Sequence, residues 1–430
     1  MLSGSFYFIN GMNANKIYLR MVHNGVLTAP AIAPVKQLPK DKRVQSIDLL
    51  RGVVMIIMAI DHVRDFFSKD AFLYSPTDLA HTNVPLFFTR LITHYCAPVF
   101  VFLAGLSAYL YGAKKGKQEL AFFLLTRGVW LVFAEMFIIT LTTSFNPTYP
   151  YFNLQVIWAI GISMIVLSVL IHLNLRGILI TGLVLIAAHN LLDGVHVPGS
   201  GAGSMFWSFL HEPGKFMIGR FTFLINYPVL PWIGIISTGY YVGHFYSPGY
   251  NPVDRKKMLL LIGIAAVLLF LFFRSANLYG DANRWSVQGT VVFSFLSFLN
   301  VTKYPPSLLY TLMTLGPALI FLAVAERPLN RWTEKISVFG RVPMFYYIAH
   351  LFIIHWLAVA GAALSGFHAS DMLLLPGRVN SVARLKGYGF SLPVVYLVWA
   401  GLILLLYPLC KRFDRYKRAN VRRQWWLSYL

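Results

Sequence analysis

Charge is what this sequence has least of. Only 12% of its 430 residues are Asp, Glu, Lys or Arg, about half the share usual in globular domains. With 57% hydrophobic residues, such a chain could not cover a soluble core with polar surface. Acidic residues are the scarcest: 16 Asp and Glu stand against 37 Lys and Arg, a net charge of +21. The basic residues fall between apolar runs and in the tails, the pattern that sets membrane topology, so nucleic acid is not read as a partner. Cysteine is almost missing. Cys96 and Cys410 lie in apolar runs more than 300 residues apart, without metal or disulfide spacing. No cleavable signal peptide opens the chain, and residues 1–45 read as a flexible cytoplasmic tail. No inverted repeat of the transporter kind is evident. GxGxxG, P-loop and nucleophile-elbow motifs are absent in any convincing context.

What is present is length in apolar runs. A span needs about 20 mostly apolar residues, and ten segments qualify: 47–67, 86–111, 119–142, 154–172, 177–193, 227–246, 257–274, 306–326, 336–360 and 390–410. Aromatics at 16% suit interfacial belts. The expected fold is all-α, a polytopic membrane protein with about ten transmembrane helices. Basic clusters such as KDKR, KKGK, DRKK and KRFDRYKR alternate with poorly charged loops. That alternation places both termini in the cytoplasm and the chain in the plasma (inner) membrane. The membrane domain is expected over 46–410 and a basic cytoplasmic tail over 411–430. Three outer loops, 194–226, 275–305 and 361–389, are long and rich in Gly, Pro and aromatics. They read equally as lids over a cavity or as ordinary connectors.

Ionisable groups inside spans cost several kcal/mol unless paired or hydrated, so each is a functional candidate. The first span, SIDLLRGVVMIIMAIDHVRDFF, carries Asp48, Arg51, Asp61, His62, Arg64 and Asp65. His62 lies roughly 22 Å along the helix from Ile47, in the outer half. Asp61 shares a helix face with Arg64 and Asp65. The second span adds Arg90 and His94, the third Arg127 and Glu135, and the ninth His350 and His355. Four histidines and a glutamate are thereby expected around one central-to-outer cavity. A single buried histidine is more often structural than catalytic, but four at similar depth shift that balance for the set. No HExxH or ligand-spaced histidine pair occurs, so no metal is expected.

Six stretches carry a family likeness, in order: SIDLLRGVVMIIMAIDHVRDFF, PVFVFLAGLSAYLYG, RGVWLVFAEMF, LQVIWAIGISM, PWIGIISTGYYVG and GRVPMFYYIAHLFIIH. Over roughly residues 44–410 the chain resembles bacterial relatives of the heparan-alpha-glucosaminide N-acetyltransferase catalytic domain. The resemblance implies a transmembrane acyltransferase that takes an acetyl (acyl) group from cytoplasmic acetyl-CoA. The acceptor would be a sugar amine or hydroxyl on the outer side. It implies catalysis by His62, with the Arg51-to-His62 spacing of bacterial membrane O-acyltransferases, or by His81, nearest in place to the family's loop histidine.

The chemistry agrees with the residues. Acyl transfer needs a base for the acceptor, for which imidazole is suited, and cationic or hydrogen-bonding groups for the oxyanion. Asp61 would orient the base. Arg90, His94, Glu135, His350 and His355 are candidates for the substrate and the oxyanion, and Arg51 and Arg127 for the CoA phosphates. Partners are then acyl-CoA, a glycan or amino-sugar acceptor and the lipid bilayer, and a homodimer is allowed. The competing class is a proton-coupled transporter of a small polar solute, with the same groups as a relay.

Overall fold

The computed structural model describes residues 44–421 and 423–428. The tail expected over 1–45 lies outside them up to Arg43. The chain is mostly helical, and every one of the ten expected spans falls on helix. The first forms α1 (Gln45–Phe67). The second is divided into α2 (Val84–Thr93) and α3 (Cys96–Lys115) by a turn at His94–Tyr95. Pro98 explains the interruption: it has no N–H to give the carbonyl of His94, and the Tyr310 hydroxyl donates to that carbonyl instead, at 2.7 Å.

The third span is α4 (Lys117–Phe133), continued by a π-helical turn over Ala134–Ile139 and a last turn over Thr140–Ser144. Next come α5 (Val156–Leu170), α6 (Leu175–Ala188), α7 (Ala202–Leu210) and α8 (Leu230–Gly243). They are followed by α9 (Pro252–Ala276), α10 (Val291–Leu299) and α11 (Leu308–Val324). Two helices occupy the ninth segment, α12 (Arg331–Arg341) and α13 (Pro343–Leu364), parted where Pro343 opens a new first turn. The last, α14 (Leu392–Asn420), runs ten residues into the expected basic tail.

Six helical stretches are long and apolar enough to cross a membrane by length and composition: Val84–Lys115, Lys117–Ser144, Leu175–Leu192, Pro252–Ala276, Pro343–Leu364 and Leu392–Asn420. This is a multi-pass membrane protein. Two further apolar helices, α5 and α11, are shorter, and α1 is interrupted by its own charged residues.

The three long loops, expected on the outer side, carry secondary structure of their own. Two of them hold α7 and α10, and the third holds a single helical turn at Ala369–Met372 and two 3-10 turns. Residues 214–225 form a hairpin, β1 being Tyr151–Leu154, β2 Gly214–Ile218 and β3 Phe221–Ile225, in a sheet of order β1-β3-β2. Alternation in KFMIGRFTFLI and a two-residue Gly219-Arg220 turn, with Gly219 at φ +58°, are what a tight hairpin needs. No strand is expected from the apolar runs, because β1 sits at the edge of one.

The core gathers around α1, which packs against α3, α12, α13 and α14. Its crossing with α12 is as close as helices come. A Cβ on Gly52 would meet the Ile336 carbonyl oxygen, and one on Gly340 would meet that of Asp48. Gly105 of α3 and Gly239 of α8 form a second such pair against the carbonyls of Ile236 and Phe102. Small residues let backbones touch where the lipid gives helices no hydrophobic reason to associate.

Candidate active site

A cavity of about 590 Å3 opens at the C-terminal end of α1. Its wall takes Asp61, His62, Arg64 and Asp65 from α1, Arg90 and Thr93 from α2, and Cys96 from α3. Asn153 and Gln155 come from the mouth of α5 and Tyr347 from α13, while Tyr74, Asn226, Lys303, Tyr304 and Arg378 come from loops. The hairpin contributes through its exit, where the Asn226 amide donates to Asn153 Oδ1.

Asp61 is the hub. Its carboxylate pairs with Arg90 and, at 2.8 Å, with Arg64 Nη2, and Thr93 Oγ1 donates to it at 3.0 Å. Arg64 also holds Asp65 at 2.7 Å. Although Arg64 is only 3% exposed, its Nε and Nη1 have no acceptor among the described residues. Arg90 reaches on to the Tyr304 hydroxyl at 3.4 Å. Both oxygens of Asp61 are therefore committed to the arginines and Thr93, and no described residue shows it bonded to His62.

His62 instead meets rings. The His350 ring lies edge-on at 5.1 Å and Tyr347 at 6.0 Å, centroid to centroid. Among the described residues nothing hydrogen-bonds to the His62 nitrogens. His350 is fully buried, and its Nδ1 is 2.9 Å from the Tyr346 carbonyl. Nδ1 must carry the proton to make that bond, which leaves Nε2 of the neutral ring a bare acceptor, and that atom has no partner among the described residues.

The remaining expected residues are not brought to the cavity wall. His94 is 3% exposed and packs edge-on against Tyr310 at 5.5 Å. Glu135 accepts from the backbone N–H of Trp158 at 3.0 Å and from that of Ile157. These are the second and third residues of α5, so the carboxylate caps a helix whose own Gln155 does not. His355 is tied to the carbonyls of Thr142 (3.1 Å) and Met372 (2.8 Å) and stacks on Phe145 at 3.8 Å. His81 stands outside the lining, 61% exposed in its side chain. Its Nδ1 is 2.7 Å from Asp78, and its ring stacks on Tyr74 of the wall. The Asp78 carboxyl lies below its usual range through the bonds from His81 and the Ala80 N–H. Arg51 sits about 16 Å from His62 by helix rise, bonded to Asp48, Ser107 and the Gly340 carbonyl. Arg127 lies over the Phe123 ring at 5.9 Å. No group of three His, Cys, Asp or Glu able to hold a metal occurs among the described residues.

The sequence model of the heparan-alpha-glucosaminide N-acetyltransferase catalytic domain matches residues 43–274, just over half of the chain. The chain belongs to this family. The match takes in α1 to α9, with the whole Asp61, His62, Arg64, Asp65 and Arg90 group, and stops short of α13. His350 and Lys303 therefore lie beyond the part by which membership in the heparan-alpha-glucosaminide N-acetyltransferase family is shown. A search of curated proteins found no match.

Lys303 and Tyr304 were missed by reading spans, because both sit in the loop before α11. The signal was there: a lone lysine followed by Tyr-Pro-Pro, in a segment otherwise short of charge. Burial raises the Tyr304 phenol pKa, but Lys303 and Arg90 together outweigh it and bring it down to about 8. Tyr304 lines the cavity, and 37% of its surface is exposed.

Proposed function

We propose that this protein is a transmembrane acyltransferase moving an acetyl group from cytoplasmic acetyl-CoA to an amino-sugar or glycan acceptor on the outer side of the plasma membrane. The observation that carries the reading is His62, a histidine on a polar cavity wall with both ring nitrogens unengaged. Ten spans with both termini inside would put the cavity at the outer end. They would put Arg51, the Arg255–Glu326 pair and the Arg341–Asp414–Arg418 cluster at the inner end. Arg51 and Arg127 would meet the phosphates of the donor there.

In the reaction, an imidazole nitrogen of His62 takes the proton of the acceptor amine or hydroxyl as it attacks the thioester carbonyl. Charge collects on the carbonyl oxygen, which Arg90 is placed to offset. The tetrahedral intermediate collapses by breaking the carbon–sulfur bond, and the imidazolium returns its proton to the CoA thiolate. His350 positions the base: its bare Nε2 can take the N–H of His62 and leave the opposite nitrogen free. Asp61 keeps Arg64 and Arg90 in place. His81, exposed and held by Asp78 outside the cavity wall, is the alternative base.

The test is CoA release from acetyl-CoA by purified protein in lipid nanodiscs, with a panel of amino sugars and glycans. Release should depend on the acceptor. His62→Ala should cut it by about 10²- to 10⁴-fold, the usual weight of a general base, without lowering the unfolding temperature. Full activity in that variant would transfer the role to His81. If acetyl-CoA neither binds nor releases CoA, the donor is wrong, and solute-driven proton flux in proteoliposomes becomes the next assay.

A further inference from the structure

The cavity wall carries more positive than negative charge. Arg64, Arg90, Lys303 and Arg378 line it, against Asp61 and Asp65. Asp61 is used up by Arg64, Arg90 and Thr93, and Asp65 faces Arg64. Lys303 is left over. It is only 8% exposed, and among the described residues its ammonium has neither a carboxylate nor a hydrogen-bond acceptor. Its recorded contact is with the Tyr304 ring, 5.2 Å from the centroid.

Lys303 is mostly buried, yet its ammonium is not among the fully enclosed atoms, so the charge is presented to the cavity, and the loop holds it there. Asp281 accepts from the Thr302 N–H (2.8 Å), the Thr302 hydroxyl (2.7 Å) and the Ser307 hydroxyl (2.6 Å), which clamps the backbone on both sides of Lys303. The cation is thus held in advance of any ligand. Arg64 and Arg90 add positive charge to the same wall, and the downward direction of the Tyr304 phenol, set by Lys303 and Arg90, agrees with that excess.

We infer that Lys303 forms an anion subsite, and that the acceptor presents a phosphate or carboxylate substituent to it while its amine or hydroxyl reaches His62. The inference rests on the acyltransferase reading for the word acceptor, but the subsite itself does not. A cavity of about 590 Å3 is within the ordinary range for a small ligand, with room for a sugar and one charged group.

Binding decides it, read from ligand-dependent unfolding temperatures of the full protein in nanodiscs. Glucosamine 6-phosphate should bind at least about tenfold more tightly than glucosamine, the scale of one charge-assisted contact. Lys303→Met should erase that difference and Lys303→Arg should keep most of it. Inorganic phosphate alone should bind more weakly than the phosphosugar, and CoA should bind wild type and Lys303→Met alike. Equal binding of the two sugars overturns the proposal, as does a preference that survives in Lys303→Met. So does free phosphate matching the phosphosugar, or a loss of CoA binding with the lysine. If Lys303→Met does not fold, the wild-type comparison of the two sugars and its retention in Lys303→Arg still decide. Absent CoA release with the anion preference intact would remove the acyltransferase reading and leave the subsite standing.

Discussion

Two arginines, Arg274 near the end of α9 and Arg64 near the end of α1, are buried to almost the same degree, at 1% and 3% exposed. Arg274 is saturated. Its Nε donates to the Phe298 carbonyl, Nη1 to that of Asn283, and Nη2 to those of Ser297 and Asn300, all between 2.7 and 2.9 Å. It closes the loop that carries α10 and is no part of the cavity wall around His62. Arg64 has two carboxylates on one nitrogen and nothing on the other two. Burial alone therefore does not mark a functional charge. What separates the two is unmet hydrogen-bonding capacity beside an open volume, which is costly to keep and has no structural return.

The comparison can be broken most directly at the saturated site. Arg274→Ala takes the guanidinium donor from four carbonyls, of which Ser297 alone keeps the Asn300 N–H, at roughly 1–3 kcal/mol for each one left buried and unpaired. It should give the largest loss of stability, seen as failure to fold or a steep fall in unfolding temperature. Asp61→Asn comes next, at about 3 kcal/mol, because two guanidinium groups lose the carboxylate that offsets them. It should also abolish transfer, measured as CoA release. Arg64→Met should cost only about 1 kcal/mol, since removing a half-satisfied charge takes away a penalty along with its ion pairs. Unfolding as severe as that of Arg274→Ala would show the two arginines to be alike.

The smallest effect is a pH dependence. The Tyr304 phenol ionises near 8 when folded and at its ordinary value of 10.0 when unfolded. Its phenolate therefore adds stability that grows as pH rises through 8, is complete above 10, and is absent below 8. Unfolding temperatures of wild type and Tyr304→Phe should diverge over that window and nowhere else.

Much of the frame was legible in the chain, because long apolar runs state their own length and the ionisable groups within them stand out. Asp61, His62 and Arg90 were found this way, and they do share a wall. The same signal also gathered Glu135, His94 and His355, which satisfy a helix start, a ring packing and two backbone carbonyls of short helical turns. Depth along a helix is readable from spacing, but the direction a side chain takes around the axis depends on which neighbours pack there. Lys303, Tyr304 and Arg378 were not legible, since loops bring them in and loop geometry has no period to read. The pairing of Asp61 with arginines from two helices, rather than with the adjacent His62, also needed the tertiary arrangement.

The crossing of Gly52 with Gly340 makes α1 a lever. With backbone pressed on backbone at that point, neither helix can slide past the other, yet one can still tilt on its partner. His62 stands ten residues beyond the fulcrum, about 15 Å along the axis, so a tilt of roughly 5° would carry it a little over 1 Å. Motion that is negligible near the crossing is thereby magnified at His62, on the scale that separates a hydrogen bond from a gap.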